Sequence, residues 1–205
     1  MNRHLAAMKT IIDGFWGVAK SNEEKKERVR AQFREDIAAE QVKQLENDTQ
    51  TRAQLAKDAI NEELHEALAE VERWGELDGA KINDNDMKLL KLDLSPEQFA
   101  QIVERNRNNG TMCFILKQYA EKHARAEKKD DEIPMWNNLA SVEVPTVDEK
   151  IKAYNIFAEN AIGIIQNITG YGWGRGVDGF GVESSVKGFG EPNQINYKLL
   201  EVLGG

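Results

Sequence analysis

Glu62 and His65 stand at the Glu-x-x-His spacing by which one helix presents a carboxylate and an imidazole to a di-iron centre. Such a centre needs a second copy of the motif and two further glutamates. His123 has Ala120 three residues before it, so the second copy is missing. Glu62, Glu63 and Glu66 read instead as a solvated acidic face near Lys57 and Arg73, and no metal is expected. Cys113 falls at the start of an expected helix, where the backbone dipole can favour a thiolate. A nucleophile also needs a base and a group to orient it, and the nearest histidine in sequence, His123, lies ten residues on, on a different turn of the helix. Cys113 is therefore expected to be a small buried core residue. Gly174-Arg-Gly-Val-Asp-Gly179 matches Gly-x-Gly-x-x-Gly, but a dinucleotide site requires a strand before it and a helix after it. Here a helix precedes and more glycine follows. The sequence contains neither Gly-x-Ser-x-Gly nor His-Glu-x-x-His. No catalytic, cofactor-binding or metal-binding residue is assigned, and the chain is not expected to be an enzyme.

Net charge narrows the partners. The chain carries −8 at neutral pH with a pI near 5.1, and no third of it is net basic, which disfavours general duplex binding and attachment to anionic membranes. The strongest basic cluster is Lys117, Lys122, Arg125, Lys128 and Lys129. Glu121, Glu127, Asp130, Asp131 and Glu132 nearly cancel it, and Thr111, Met112 and Cys113 offer little for reading bases at a recognition-helix N-terminus. A nucleic-acid-associated helical protein using this cluster is the alternative reading. The apolar stretch Leu5 to Val18 is broken by Lys9, Thr10 and Asp13 and lacks a processing site, so no secretory signal is expected. The single cysteine excludes an internal disulfide and fits a reducing compartment.

The elements that would position these residues are helical throughout, and the predicted class is all-α. Residues 1–78 read as a long charged helical oligomerisation region. Leu5, Met8, Ile12, Phe15, Trp16 and Ala19 follow helical spacing over 3–19, Gly14 and Gly17 weaken the end, and Ser21-Asn-Glu-Glu24 has the spacing to start a new helix. Between Gly17 and Gly75 there is neither glycine nor proline, and Glu, Lys, Gln, Arg and Ala crowd the run. Straight, it would span roughly 85 Å. Its large apolar residues are sparse: Phe33, Ile37, Leu45, Leu55, Leu64, Leu68, Val71 and Trp74 are the expected oligomer seam. The seam lapses over Glu46–Arg52, the expected bend, where Asn47, Asp48 or Thr49 can cap a fresh helix. Its steps do not give a clean heptad, so a loose coiled coil or a helical hairpin fits better than a zipper.

Residues 79–127 read as a short extended arm, with Leu90, Leu92 and Leu94 alternating, followed by an αα-hairpin. Ser95-Pro-Glu-Gln98 is a capping box with proline at the first helical position, and Asn108-Asn-Gly110 separates the two helices. Residues 128–146, acidic and carrying Pro134 and Pro145, read as a linker. Thr146-Val-Asp-Glu149 opens an amphipathic helix over 147–169 with a broad apolar face. Residues 170–205 form a glycine-rich tail in which Tyr171, Trp173, Phe180 and Phe189 are expected partner-binding anchors.

Leu94-Ser-Pro-Glu-Gln-Phe99, Asn109-Gly-Thr-Met112 and Gln118-Tyr-Ala-Glu-Lys-His123 resemble a segment found in small proteins from the head and virion regions of tailed bacteriophages, which also carry a charged helical N-terminal half. The resemblance covers about thirty residues, brings no catalytic motif and assigns no site residue. It implies a structural role, as a virion component or capsid scaffold, and a location in the virion or the host cytoplasm. Taken with the thin seam, it leads to the expectation of an assembly protein that oligomerises through its N-terminal helices and docks other virion proteins through its tail, without cofactor, membrane or small-molecule substrate.

Overall fold

The computed structural model describes residues 2–125, 133–140, 144–170, 185–187, 189 and 202–203. The fold is all-α, and the described residues contain no strand. The helices are α1 (Arg3–Gln32), α2 (Glu35–Gly75), a 3-10 turn at Gly79–Lys81, α3 (Asp84–Leu89), α4 (Pro96–Asn106), α5 (Gly110–Arg125), α6 (Ile133–Asn138) and α7 (Val147–Gly170). They divide into two compact units, residues 1–67 with 154–196, and residues 68–153 with 197–205.

The first unit is built on an antiparallel hairpin of α1 and α2. His4 meets Glu63, Asn22 meets Asp48, and Lys26 lies 3.8 Å from Glu46, so numbering rises along one helix as it falls along the other. Asn2 caps α1 by accepting from the His4 N–H at 3.0 Å. The helix then runs without a break through Gly14, Gly17 and Ser21, so the expected new start at Ser21 does not occur. Asn22 and Glu23, part of that supposed capping box, are instead buried side chains of a continuous helix. Its inner face is Leu5, Met8, Ile12, Phe15, Ala19 and Asn22, alternating steps of three and four residues. The turn is at Phe33 and Arg34, not at Glu46–Arg52, which lies inside α2.

The inner face of α2 is mostly alanine: Ala38, Ala53, Ala56, Ile60 and Ala67 are buried. Small side chains let two helices approach closely, so a seam thin in leucine is sufficient when the partner supplies the bulk. α7 adds Tyr154, Phe157, Ala158, Ala161, Ile165 and Ile168 to this core. The Tyr154 ring stands edge-on to His4, with centroids 5.8 Å apart.

The second unit packs α4 and α5 as the expected αα-hairpin. Both capping-box bonds of Ser95 and Gln98 form, and Asn109 caps α5 by accepting from the Met112 N–H at 3.2 Å. The supposed extended arm is α3 followed by a turn: Leu90 and Leu92 close backbone bonds to Asp86 and Leu89. Asp86, buried, accepts from Arg105 Nη2 at 2.8 Å and Asn106 Nδ2 at 2.6 Å, clasping α3 to α4. The expected linker contains α6, and its Trp136 is fully buried against Phe99. Pro134 does not prevent this helix because it occupies the first turn, where no intrahelical N–H bond is required. Thr146 and Glu149 form the reciprocal cap of α7 as the sequence predicts.

Candidate interaction surface

At the centre of the α1–α2 hairpin, Asn22 is 3 % exposed. Its amide donates to Asp48 Oδ2 at 2.8 Å and to Thr49 Oγ1 at 3.1 Å. A buried amide in an apolar seam fixes register, because sliding by a turn would strand it among carbon atoms. The polar lapse at Glu46–Arg52 is thus the complement of a polar position on the facing helix. Lys26 reinforces it, 2.6 Å from Glu23.

Toward the turn the cover thins. Phe33 is 44 % and Ile37 46 % exposed, and the neighbouring surface opens into a groove of about 460 Å³ lined by Arg30, Phe33, Glu35, Ala38, Ala39 and Val42. Phe33 leaves the helix in extended conformation, its N–H still bonded to the Val29 carbonyl at 3.1 Å. This places an aromatic ring at the tip of two charged helices.

The expected oligomer seam therefore divides. Phe33, Ile37 and Leu55 are exposed, while Leu45, Leu64 and Leu68 are half-buried. Val71 is buried within its own unit, away from any external seam, and Trp74 is half-buried. Trp74 supports Gly110: a Cβ on Gly110 would lie 1.8 Å from the Trp74 carbonyl oxygen. Lys150 Nζ sits 4.7 Å from the Trp74 ring centroid and donates to the Val202 carbonyl at 2.8 Å. Burial lowers the Lys150 pKa.

Among the tail anchors, Tyr171, Trp173 and Phe180 lie outside the described residues. Phe189 is corrected: it is 5 % exposed, edge-on to Phe157 at 6.2 Å, and so is spent inside its own unit. Lys9 Nζ holds the neighbouring segment through the Val186 carbonyl at 3.3 Å. In the basic cluster, Arg125 pairs with Glu121 at 3.5 Å, and Lys128 and Lys129 lie outside the described residues.

Glu62 and His65 are both exposed, and the described residues hold no group of three side chains suited to a metal ion. Glu63 is not on a solvated face as expected. Its carboxylate meets His4 Nδ1, and His4 is buried. The spacing signal pointed one residue away from the inward carboxylate, and only the hairpin register could have found it. Cys113 is buried as expected, donating from Sγ to the Asn106 carbonyl at 3.3 Å. Burial pushes its thiol up to about 11, which leaves it protonated and unreactive near neutrality. No described helix is long and apolar enough to cross a membrane. No protein-family model, curated protein or solved structure matches the chain.

Proposed function

We propose that this is a structural assembly protein, a virion component or capsid scaffold of a tailed phage, which acts by self-association of its helical hairpin and by docking other virion proteins. One observation carries the reading. The α1–α2 hairpin, rich in Lys, Arg, Glu and Asp, fills its seam with its own residues yet leaves Phe33, Ile37 and Leu55 uncovered. Large apolar side chains left exposed on an otherwise charged element favour a partner-facing role. The resemblance of residues 94–123 to phage virion-region proteins supports the setting, and Tyr171, Trp173 and Phe180 are the docking anchors assigned to the tail.

Incorporation into particles tests the reading. The tagged chain, present while phage particles assemble, is expected to sediment with them, and a Tyr171→Ser/Trp173→Ser/Phe180→Ser variant to remain in the supernatant. Wild-type chain left in the supernatant overturns the virion role.

A further inference from the structure

The groove at the hairpin tip has three properties that bear on its occupant. Its apolar part continues the intramolecular seam: the alternating steps that bury Ala19 and Asn22 on α1 proceed to Lys26, Val29 and Phe33. At Phe33 the facing helix no longer covers the ring. Its charged part is mixed, with Arg30 on one helix and Glu35 on the other, both exposed and neither paired among the described residues. Its floor is made of Ala38 and Ala39, with half-buried Val42, leaving room for an inserted side chain.

We propose that this groove is the contact through which two copies of the chain pair, tip to tip about a two-fold axis. Phe33 of each copy enters the groove of the other, and Arg30 of each faces Glu35 of the other. A two-fold contact needs a patch that is its own complement, and a groove carrying one unpaired cation and one unpaired anion beside a projecting ring meets that requirement. A partner of different sequence would be expected to meet a groove of one dominant charge. The inference rests on the self-association proposed above and specifies where it occurs.

The available area bounds the kind of contact. A phenylalanine ring buries at most roughly 150–250 Å², whereas a specific, stable interface removes about 1,200–2,000 Å². Two rings, with the short side chains around them, fall below that range. Pairing at the tip is thus weak and reversible.

Sedimentation equilibrium of the full chain at about 1–200 µM, a range in which weak reversible pairing is read, tests the geometry. Wild-type protein is expected to rise in mass from monomer toward dimer. Phe33→Glu is expected to weaken pairing by at least about thirtyfold, since it places a charge in an apolar groove. Arg30→Glu and Glu35→Arg, each alone, bring like charges together and are expected to weaken pairing at least about tenfold. An equimolar mixture of Arg30→Glu and Glu35→Arg restores both cross-pairs and is expected to associate within about threefold of wild type. Because these side chains are exposed, far-ultraviolet circular dichroism should show unchanged helix content. If wild type associates but the variants match it, the contact lies elsewhere and the tip inference fails while self-association stands. If the variants weaken pairing but the mixture does not recover, the two-fold geometry is wrong. A concentration-independent monomer overturns both this inference and the self-association on which it rests.

Discussion

The amide of Asn22 and the carboxylate of Asp48 meet at 2.8 Å in the middle of the α1–α2 hairpin, 26 residues apart in sequence. The bond joins a buried donor to an acceptor that also faces Arg52, at 3.6 Å, so it is charge-assisted without requiring a fully buried ion. Asn22→Ala is expected to destabilise the fold by about 1.5–3 kcal/mol, the range for losing a bond to a charged group. In urea titrations, Asn22→Ala and Asp48→Ala should be less than additive, with a coupling of about 0.5–1.5 kcal/mol. Simple additivity would mean the two side chains do not act together.

Glycines in long helices separate into two kinds. Gly110→Ala drives a Cβ to 1.8 Å from a backbone oxygen of Trp74, which cannot swing away as a side chain end would. It is expected to cost about 3 kcal/mol, the upper end of the usual range for overpacking, because the atoms it meets are fixed. Gly14 and Gly17 meet nothing within 4 Å. Alanine at either should stabilise by about 0.5–1 kcal/mol through backbone entropy. Thermal melts of the three single variants should give opposite signs.

Cys113 links stability to alkaline pH. Its thiol is raised from 9.0 to about 11, chiefly by burial, with Lys150 and Arg107 opposing. The folded chain therefore holds a proton that the unfolded chain releases. This contribution is complete below pH 9 and is lost as pH rises toward 11. Lys150 has the reverse sign: burial lowers its pKa below 10.5, so the unfolded chain binds the extra proton and stability rises with pH up to that value. Cys113→Ala should remove the falling limb above pH 9, and Lys150→Met should remove the opposing rise. Urea midpoints measured from pH 7 to 11 would show each change of slope. An Ellman assay should detect one thiol only after unfolding.

Phe189 tests the tail separately from any partner. Buried edge-on against Phe157, it should cost about 2–4 kcal/mol when replaced by alanine in the isolated chain, at or below the usual range for core phenylalanines. A variant as stable as wild type in urea would return Phe189 to the expected set of external anchors.

Local signals with a self-contained mechanism were legible. Ser95-Pro-Glu-Gln98 and Thr146-Val-Asp-Glu149 fix their helix starts because each cap is satisfied within four residues. The all-α class followed from helix-forming composition and apolar spacing. Signals whose meaning depends on the opposite helix were not legible. Ser21-Asn-Glu-Glu24 has the same spacing as a cap, yet the pairing of Asn22 across the hairpin decides its role. Counting large apolar residues missed the alanine face of α2 because alanine is common on exposed helix surfaces as well. Trp136 was hidden by acidic neighbours and Pro134, although a lone tryptophan beside a helix-compatible proline was a usable hint. Of the tip groove, Phe33 was legible as an apolar position. Its exposure was not, since it depends on the chain reversing at Arg34.

The alanine face also governs how α2 tolerates change. Ala53 and Ala67 are among the residues with least access to water, though a hydropathy profile scores them as filler. A larger side chain at either is expected to overpack the seam, whereas Leu55, two residues from Ala53, is 56 % exposed. Saturation mutagenesis along this helix would therefore trace a banded map, with permissive and forbidding sites side by side. The forbidding ones would be those that look most innocuous on paper.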